Sequence, residues 1–191
     1  MGNNYLTNPM DFVIQTLFGL YILVIMLRFL LQWAKADFYN PMSQFLVKVT
    51  SPVLRPLRRV IPGFGGLDIA SIVLMLALQM LALTISLMLR DDIEGPVYIA
   101  IMATAELVNL LINVFIFAIV IQVILSWVSP GAHNPITGLI HSLTEPVMRP
   151  ARRILPPFSG LDLSPILALI ALQVIKMLLM PPIQLLANAV R

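Results

Sequence analysis

The sequence predicts an all-α integral membrane protein, in which four transmembrane helices form two parallel-repeat helical hairpins joined by interfacial amphipathic connector helices. Of its 191 residues, 59% are hydrophobic and 11% are charged, whereas about 25% of the residues in soluble domains are charged. Four apolar runs each approach or exceed the roughly 20 helical residues that cross a bilayer. Residues 28–79 also align with residues 122–173 without a gap, with 20 identities in 52 positions. The chain is therefore a duplicated unit.

The predicted spans cover residues 12–33, 69–89, 106–128 and 163–180. Each unit, 1–95 and 96–191, then contains two spans and one basic connector. Residues 97–105 extend the third run without a counterpart in the first unit, so they are either a tilted extension of the span or an interfacial segment. The chain has no cysteine, which excludes disulfides and thiol chemistry.

The loops predict the orientation in the membrane. Both connectors are rich in lysine and arginine, whereas the loop between the units, R-D-D-I-E-G-P at 90–96, is mainly acidic. The positive-inside rule therefore places both connectors in the cytoplasm or its organellar equivalent, and both termini and the acidic loop outside. Since each unit crosses twice, the two units have the same orientation. We expect them to be related by a pseudo-twofold axis along the membrane normal.

The connectors carry the candidate binding residues. In each, an Asn-Pro pair opens a short amphipathic stretch, and a later proline can begin a second short helix. Three arginines recur at equivalent positions in the two connectors, and they are the candidate lipid-binding or partner-binding residues: Arg55, Arg58, Arg59, Arg149, Arg152 and Arg153. Three interpretations remain open: a topology signal with anchoring to anionic lipid headgroups, a docking surface for the acidic segment of a protein partner, or a substrate phosphate site.

An aspartate precedes the second span of each unit, Asp68 in the first and Asp162 in the second. It follows a repeated F-x-G-L segment, residues 64–67 and 158–161, whose glycine suits a sharp turn. We expect each aspartate to cap the helix that follows it, and each can also pair with an arginine of its own connector. The alternative is a proton-carrying role.

Few polar residues lie within the spans, and such residues are functional candidates. Gln79 and Gln173 are equivalent by the repeat. They either hydrogen-bond across the pseudo-twofold axis, joining the helices, or belong to an ion or cofactor site. Arg28 lies near the inner end of the first span, and we expect it to snorkel toward lipid phosphates.

A further polar set lies in the outer half of the second unit. Glu106, Asn109 and Asn113 share one helix face, and Lys176 lies at a similar depth in the fourth span. They either form a polar seam between the two helices or line a transport path.

Several function classes find no support in the sequence. The two histidines, His133 and His141, lie in the second connector and do not repeat, so neither a metal site nor a haem site is predicted. There is no catalytic triad, paired in-membrane carboxylates or glycine-rich phosphate loop, so we expect neither an enzyme nor a cofactor. The net charge of +3 comes mostly from the connectors rather than from a uniformly basic surface, so nucleic acid is not predicted as a direct partner.

The motif P-V-x-R-P-x-R-R-x-x-P-x-F-x-G-L-D occurs once in each half and resembles the YggT family of small integral membrane proteins. The resemblance covers nearly the whole chain and implies no catalytic residues. It implies roles in membrane-complex assembly, in division or nucleoid placement, or in osmotic-stress tolerance through potassium uptake. Many relatives carry one unit, which suggests that they dimerise and that this chain is a covalent pair.

These observations predict an assembly or scaffold factor of a bacterial inner (plasma) membrane. Its arginine connectors would bind lipid headgroups and a membrane-protein partner. The alternative is a protein that supports potassium flux or osmotic adaptation. The sequence leaves the oligomeric state open, including a homo-oligomer.

Overall fold

The computed structural model describes residues 4–128, 134–156 and 162–191. Within them the chain forms six helices: α1 (Asn4–Trp33), α2 (Pro41–Val60), α3 (Ile69–Leu89), α4 (Pro96–Val128), α5 (Pro135–Ile154) and α6 (Ser164–Ala189). Four of these, α1, α3, α4 and α6, are long and apolar enough to cross a membrane. The predicted all-α fold with four spanning helices is confirmed.

Three of the spanning helices are longer than the sequence predicts. Helix α1 already begins at Asn4, eight residues before the predicted start of the first span. Helix α4 runs without interruption from Pro96 to Val128, so residues 97–105 continue the helix of the third span. Helix α6 continues to Ala189 through Pro181 and Pro182. Each proline removes one backbone donor, but the helix continues on the remaining hydrogen bonds.

Each connector forms one helix of 20 residues, and the predicted division into two short helices is wrong. In α2 the prolines that suggested a break, Pro52 and Pro56, lie inside the helix on its exposed surface. A proline in a helix interior costs about 3 kcal/mol. The opposite face offsets this cost, because α2 buries residues along its length against the spanning helices, with Leu54 fully inaccessible.

A single apolar core joins the six helices. Its largest fully buried side chains come from both units and from both connectors: Ile22, Ile25, Leu54, Ile119 and Met148. Within the first unit α1 packs against α3, and within the second unit α4 packs against α6. The connectors lie across these hairpins, α2 on α1 and α3, and α5 on α4 and α6.

The two units meet head to tail. Helix α3 packs against α4, and α1 contacts both α4 and α5. A pseudo-twofold axis would require matching interfaces between α6 and α1 and between α2 and α4. In the described part of the chain neither pair forms an interface comparable to its counterpart. The predicted pseudo-twofold relation is therefore wrong, because the units use different surfaces to contact each other.

The two ends of the bundle differ in character. At one end the connectors meet, where the Asn40 Nδ2 donates a hydrogen bond to the carbonyl of Pro135 at 2.7 Å. At the other end Asp11 pairs with Arg90, and Arg191 reaches the loop between the units, with its Nε 2.5 Å from Glu94 Oε1. The first turns of α1 and the end of α6 thus lie beside the acidic loop, away from the connectors.

Candidate functional site

The connector helix α2 presents three distinct faces, because residues in a helix turn by about 100° each. One face is buried against the bundle and includes Leu46, Thr50 and Leu54. A second is exposed and cationic, with Lys48, Arg55 and Arg59. The third, which we call the α2 stripe, is exposed and apolar and consists of Met42, Phe45, Val49 and Val53. This arrangement places cations beside an apolar surface, which suits an interface between hydrocarbon and headgroups.

The middle arginine of the first triplet is held by the chain itself. The Nε of Arg58 donates to Asp68 Oδ1 at 3.2 Å, and Nη2 pairs with Oδ2 of the same carboxylate. The hydroxyl of Ser71 also donates to Asp68. Asp68 is buried whereas Arg58 is partly exposed. The pair therefore ties α2 to the start of α3.

The second unit repeats this contact. The Nε of Arg152 donates to Asp162 Oδ2 at 3.3 Å, and its Nη1 donates to Glu145 Oε2 at 2.9 Å. The middle arginine of each triplet is thus paired within its own unit. The outer arginines of both triplets are exposed: Arg55, Arg59, Arg149 and Arg153. These four, rather than all six arginines, are the exposed cations of the triplets.

The two cationic edges are unequal. Arg149 pairs with Glu145 at 3.4 Å, whereas the first connector has Ser51 at the position of Glu145 and Lys48 where the second has Ser142. The first connector therefore carries more unneutralised positive charge than the second.

A glycine turn positions Asp68. Phe64 and Leu67 exchange backbone hydrogen bonds of 3.2 and 3.0 Å, and the two residues between them, Gly65 and Gly66, have φ of 61° and 82°. Such positive φ values favour glycine. The equivalent F-S-G-L segment, with Phe158, Gly160 and Leu161, lies outside the described residues.

The aspartates differ as helix caps. Asp68 occupies the N-cap position of α3 but makes no side-chain cap hydrogen bond, because Arg58 and Ser71 occupy its carboxylate. The expected cap bond is absent there. Asp162 does accept a backbone hydrogen bond, from Ser164 N at 2.9 Å, one residue before the N-cap position Leu163.

The pKa values of these carboxyls reflect their partners. Burial by itself raises the pKa of Asp68, but hydrogen bonds from Arg58 and Ser71 and the charge of Arg58 outweigh it, so the pKa lies below its ordinary value. Burial likewise raises the pKa of Asp162, and the hydrogen bonds from Ser164 together with Arg152 lower it further than burial raises it. Both aspartates are therefore ionised at neutral pH.

A second repeated contact joins the first span of each unit to its connector. The guanidinium of Arg28 is buried and donates to the hydroxyl of Thr50, which donates to Leu46 O at 2.7 Å. At the equivalent positions, Thr144 Oγ1 lies 2.5 Å from Gln122 Oε1. The expectation that Arg28 snorkels to phosphates is wrong, because α2 covers it and supplies a partner. The repeat of Thr50 as Thr144 was the sequence signal for this contact.

The two repeated glutamines do not meet. Gln79 is partly buried and faces a cavity bounded by α1, α3 and α4, whereas Gln173 is exposed on α6. Helix α4 packs against both α3 and α6, which form no comparable interface with each other in the described residues. The expected hydrogen bond between the glutamines across an axis is therefore absent.

A polar cavity of about 190 Å³ lies between the two units. Its polar lining comes from three helices: Gln15 of α1, Gln79 of α3, and Glu106, Asn109 and Asn113 of α4. From α6, the Nζ of Lys176 donates to Asn113 Oδ1 at 2.9 Å. The expected seam between α4 and α6 thus includes Asn113 and Lys176, while Glu106 and Asn109 line the cavity on the side of the first unit.

The described residues hold no group of three or more histidine, aspartate or glutamate side chains arranged to bind a metal. His141 is exposed and lies 3.8 Å from Glu145. His133 lies outside the described residues.

A family model described as CCB3/YggT matches the chain twice, at residues 7–89 and 101–183. The chain belongs to the CCB3/YggT family. The two matches correspond to two tandem units, each containing one arginine triplet and one aspartate that pairs with it.

Bacterial CCB3/YggT relatives match the chain over most of their length. An uncharacterised protein of Pseudomonas aeruginosa is 47% identical over 169 residues, covering 87% of this chain and 86% of the relative. A Vibrio alginolyticus protein is 42% identical over 168 residues, covering 87% and 90%. The protein YggT of Escherichia coli K12 is 39% identical over 173 residues, covering 89% and 88%. No solved structure matches the chain.

The two threonine contacts generate a matched prediction. Thr50→Val removes the hydroxyl that the buried Arg28 binds. We expect the free energy of unfolding to fall by about 1.5–3 kcal/mol, the usual range for a hydrogen bond to a charged group. Thr144→Val removes a hydroxyl that bonds the neutral Gln122, so it should lower the free energy of unfolding by only about 1 kcal/mol. Unfolding of the purified protein in detergent micelles measures both. Equal losses would contradict the role assigned to the Arg28 charge.

The aspartate pairs predict a dependence of stability on pH. Because the folded-state pKa of Asp68 lies below its ordinary value of 3.8, its contribution is present above that value and lost as the pH falls through the folded pKa. We expect the melting temperature in detergent to fall at acidic pH, and to fall less in Asp68→Asn, which lacks the titrating group. Asp162→Asn is the matched control and should change the profile less, since its side chain is 38% exposed against 5% for Asp68. Identical profiles for the wild type and Asp68→Asn would contradict this assignment.

Proposed function

We propose that the protein is a non-enzymatic assembly or scaffold factor of a bacterial inner membrane, with its connectors in the cytoplasm and both ends of the chain outside. Its exposed arginines bind anionic lipid headgroups and the acidic segment of a membrane-protein partner. The observation that carries the proposal is the repeated division of the arginine triplet. In both units the middle arginine is fixed on an aspartate and the outer two face outward.

The surroundings of the outer arginines support the same proposal. A groove of about 760 Å³ runs beside the cationic edge of α2, and Phe38, Lys48 and Arg55 contribute to its lining. It combines apolar walls with two cations, which suits a headgroup with its first acyl carbons or an acidic amphipathic segment. Both connectors lie at the same end of the bundle, so both present their arginines to one membrane surface.

The lipid part of the proposal predicts a graded loss of anionic lipid. Each cation near an anionic leaflet contributes about 1 kcal/mol, so replacing Arg55 and Arg59 with glutamine should weaken retention about 30-fold. The same change at Arg149 and Arg153 should weaken it less, because Glu145 already neutralises part of the charge on Arg149. Native mass spectrometry of the protein released from nanodiscs of phosphatidylglycerol and phosphatidylethanolamine measures the retained lipid.

The control also removes two positive charges, one from each connector helix. Arg58→Gln with Arg152→Gln should lower the melting temperature while each folded molecule keeps its anionic lipid. If this double variant loses lipid as strongly as the variant with Arg55 and Arg59 replaced, the division between structural and exposed arginines is incorrect.

The partner part of the proposal predicts a specific loss from native membranes. The protein extracted gently with its surrounding lipid should retain a partner in fixed stoichiometry, and changing Arg55, Arg59, Arg149 and Arg153 to glutamine should release it. A partner that survives the fourfold change, or its absence from the wild-type protein, would contradict the docking role.

The polar cavity favours one alternative function, support of potassium flux. Gln79, Asn109 and Asn113 offer oxygen atoms within the bilayer, and Lys176 is bound to one of them. If ions pass here, Asn113→Leu and Lys176→Met should each change potassium flux into liposomes that contain the purified protein. Unchanged flux in both variants would exclude this path.

A further inference from the structure

The interface between the two units leaves a complementary surface uncovered at each end of the chain. The first unit contributes α1 and α3 to this interface, and the second contributes α4 and α5. By the repeat, α4 corresponds to α1, α5 to α2, and α6 to α3. A head-to-tail interface of this kind remains open until the last unit meets the first unit of another copy.

The connector helices show the first of these two uncovered surfaces. On α5, Leu139 and Leu143 are 7% and 5% exposed, in the core that joins the units. Their equivalents on the α2 stripe, Phe45 and Val49, are 55% and 36% exposed. The first unit therefore leaves open the surface that the second unit buries.

The first spans of the two units, α1 and α4, show the second uncovered surface. At the inner end of α1, Leu30 is 2% exposed, and Leu23 and Leu27 pack against the core. The equivalent face of α4, formed by Phe117, Ile121 and Ile124, is open, with Ile124 52% exposed. This α4 face corresponds to an α1 surface that packs into the core shared by the two units, and α1 also contacts α5. By the repeat, the α4 face would cover an α2 stripe in the same way.

Helix α6 repeats the pattern within the bilayer. Gln79 of α3 is partly buried where α3 meets α4, whereas Gln173 at the equivalent position of α6 is exposed. An amide near the middle of a span is costly to leave facing hydrocarbon. A neighbouring α1 on this face would cover it.

One polar contact fixes the geometry. Asn40 caps α2 through Oδ1 and uses Nδ2 to bind the carbonyl of Pro135 in the other unit at 2.7 Å. Asn134 makes the same cap bond, accepting from Ile136 N at 3.0 Å, and both Asn134 and Pro41 are exposed. The counterpart of the Asn40–Pro135 contact is therefore a contact between Asn134 and Pro41 of a second copy.

We propose that a second copy of this chain binds head to tail through these surfaces. The α4 face and α6 of one copy cover the α2 stripe and α1 of the other, and Asn134 Nδ2 donates to the Pro41 carbonyl. The smallest closed assembly is a dimer with two identical interfaces between the chains. It forms a ring of four units, each of which contacts its neighbours as the two units of one chain do.

Disulfide cross-linking in intact membranes tests this geometry, because the natural chain has no cysteine. Pro41→Cys with Asn134→Cys should give a disulfide-linked dimer on a non-reducing gel after mild oxidation. The matched control, Asn40→Cys with Pro135→Cys, also removes one asparagine cap and one proline. It should cross-link within the chain and stay monomeric in size.

Single-cysteine chains separate a head-to-tail pair from other associations. Pro41→Cys and Asn134→Cys should each stay monomeric when expressed alone and form a dimer when coexpressed. A dimer formed by either variant alone would overturn the proposal in favour of a twofold contact. Monomers throughout, with the control pair cross-linked, would overturn it in favour of lipid covering these faces.

Discussion

The pairing of one arginine with one aspartate in each unit determines how the rest of the molecule is arranged. Arg58 and Arg152 lie near the ends of the connector helices, and Asp68 and Asp162 lie just before the spans that follow. A buried carboxylate such as Asp68 is strongly destabilising without its cation, and the partly exposed Asp162 makes the same contact in the second unit. The pair therefore fixes each connector against the bundle, and this fixed rotation decides which side chains are buried, which cations face outward and where the apolar stripe lies.

The duplicated units have the same internal design and unequal surroundings. The contacts that hold a unit together, between the connector and both of its spans, recur in each half. The differences arise where one unit covers the other, because a head-to-tail contact gives equivalent residues different neighbours. Phe45 and Leu139 illustrate this. They occupy equivalent positions of the repeat, but Phe45 is 55% exposed whereas Leu139 is 7% exposed. Burial in this protein is set by the position of a unit in the chain as much as by its sequence.

Much of the fold followed from local patterns, and the errors came from contacts between distant residues. Apolar length predicts the four spans, and the repeat predicts the two units. The prolines at 52 and 56 suggested a break because the sequence does not reveal that they occupy the exposed side of a helix held by tertiary packing. The hydrogen-bond partner of Arg28 is Thr50, which lies on another helix 22 residues further along the chain. The relation between Gln79 and Gln173 depends on how the units meet, which local sequence does not encode.

The prolines of the connectors also set the depth at which these helices can lie. Pro52 and Pro56 have no N–H, so the carbonyls of Lys48 and Pro52, four residues earlier, lack their usual helical donors. These positions are exposed, and an unsatisfied carbonyl in hydrocarbon costs several kcal/mol. Pro146 and Pro150 impose the same condition on α5. Both helices must therefore keep this side in contact with water or headgroup donors, so the prolines exclude immersion of the connectors in the acyl chains.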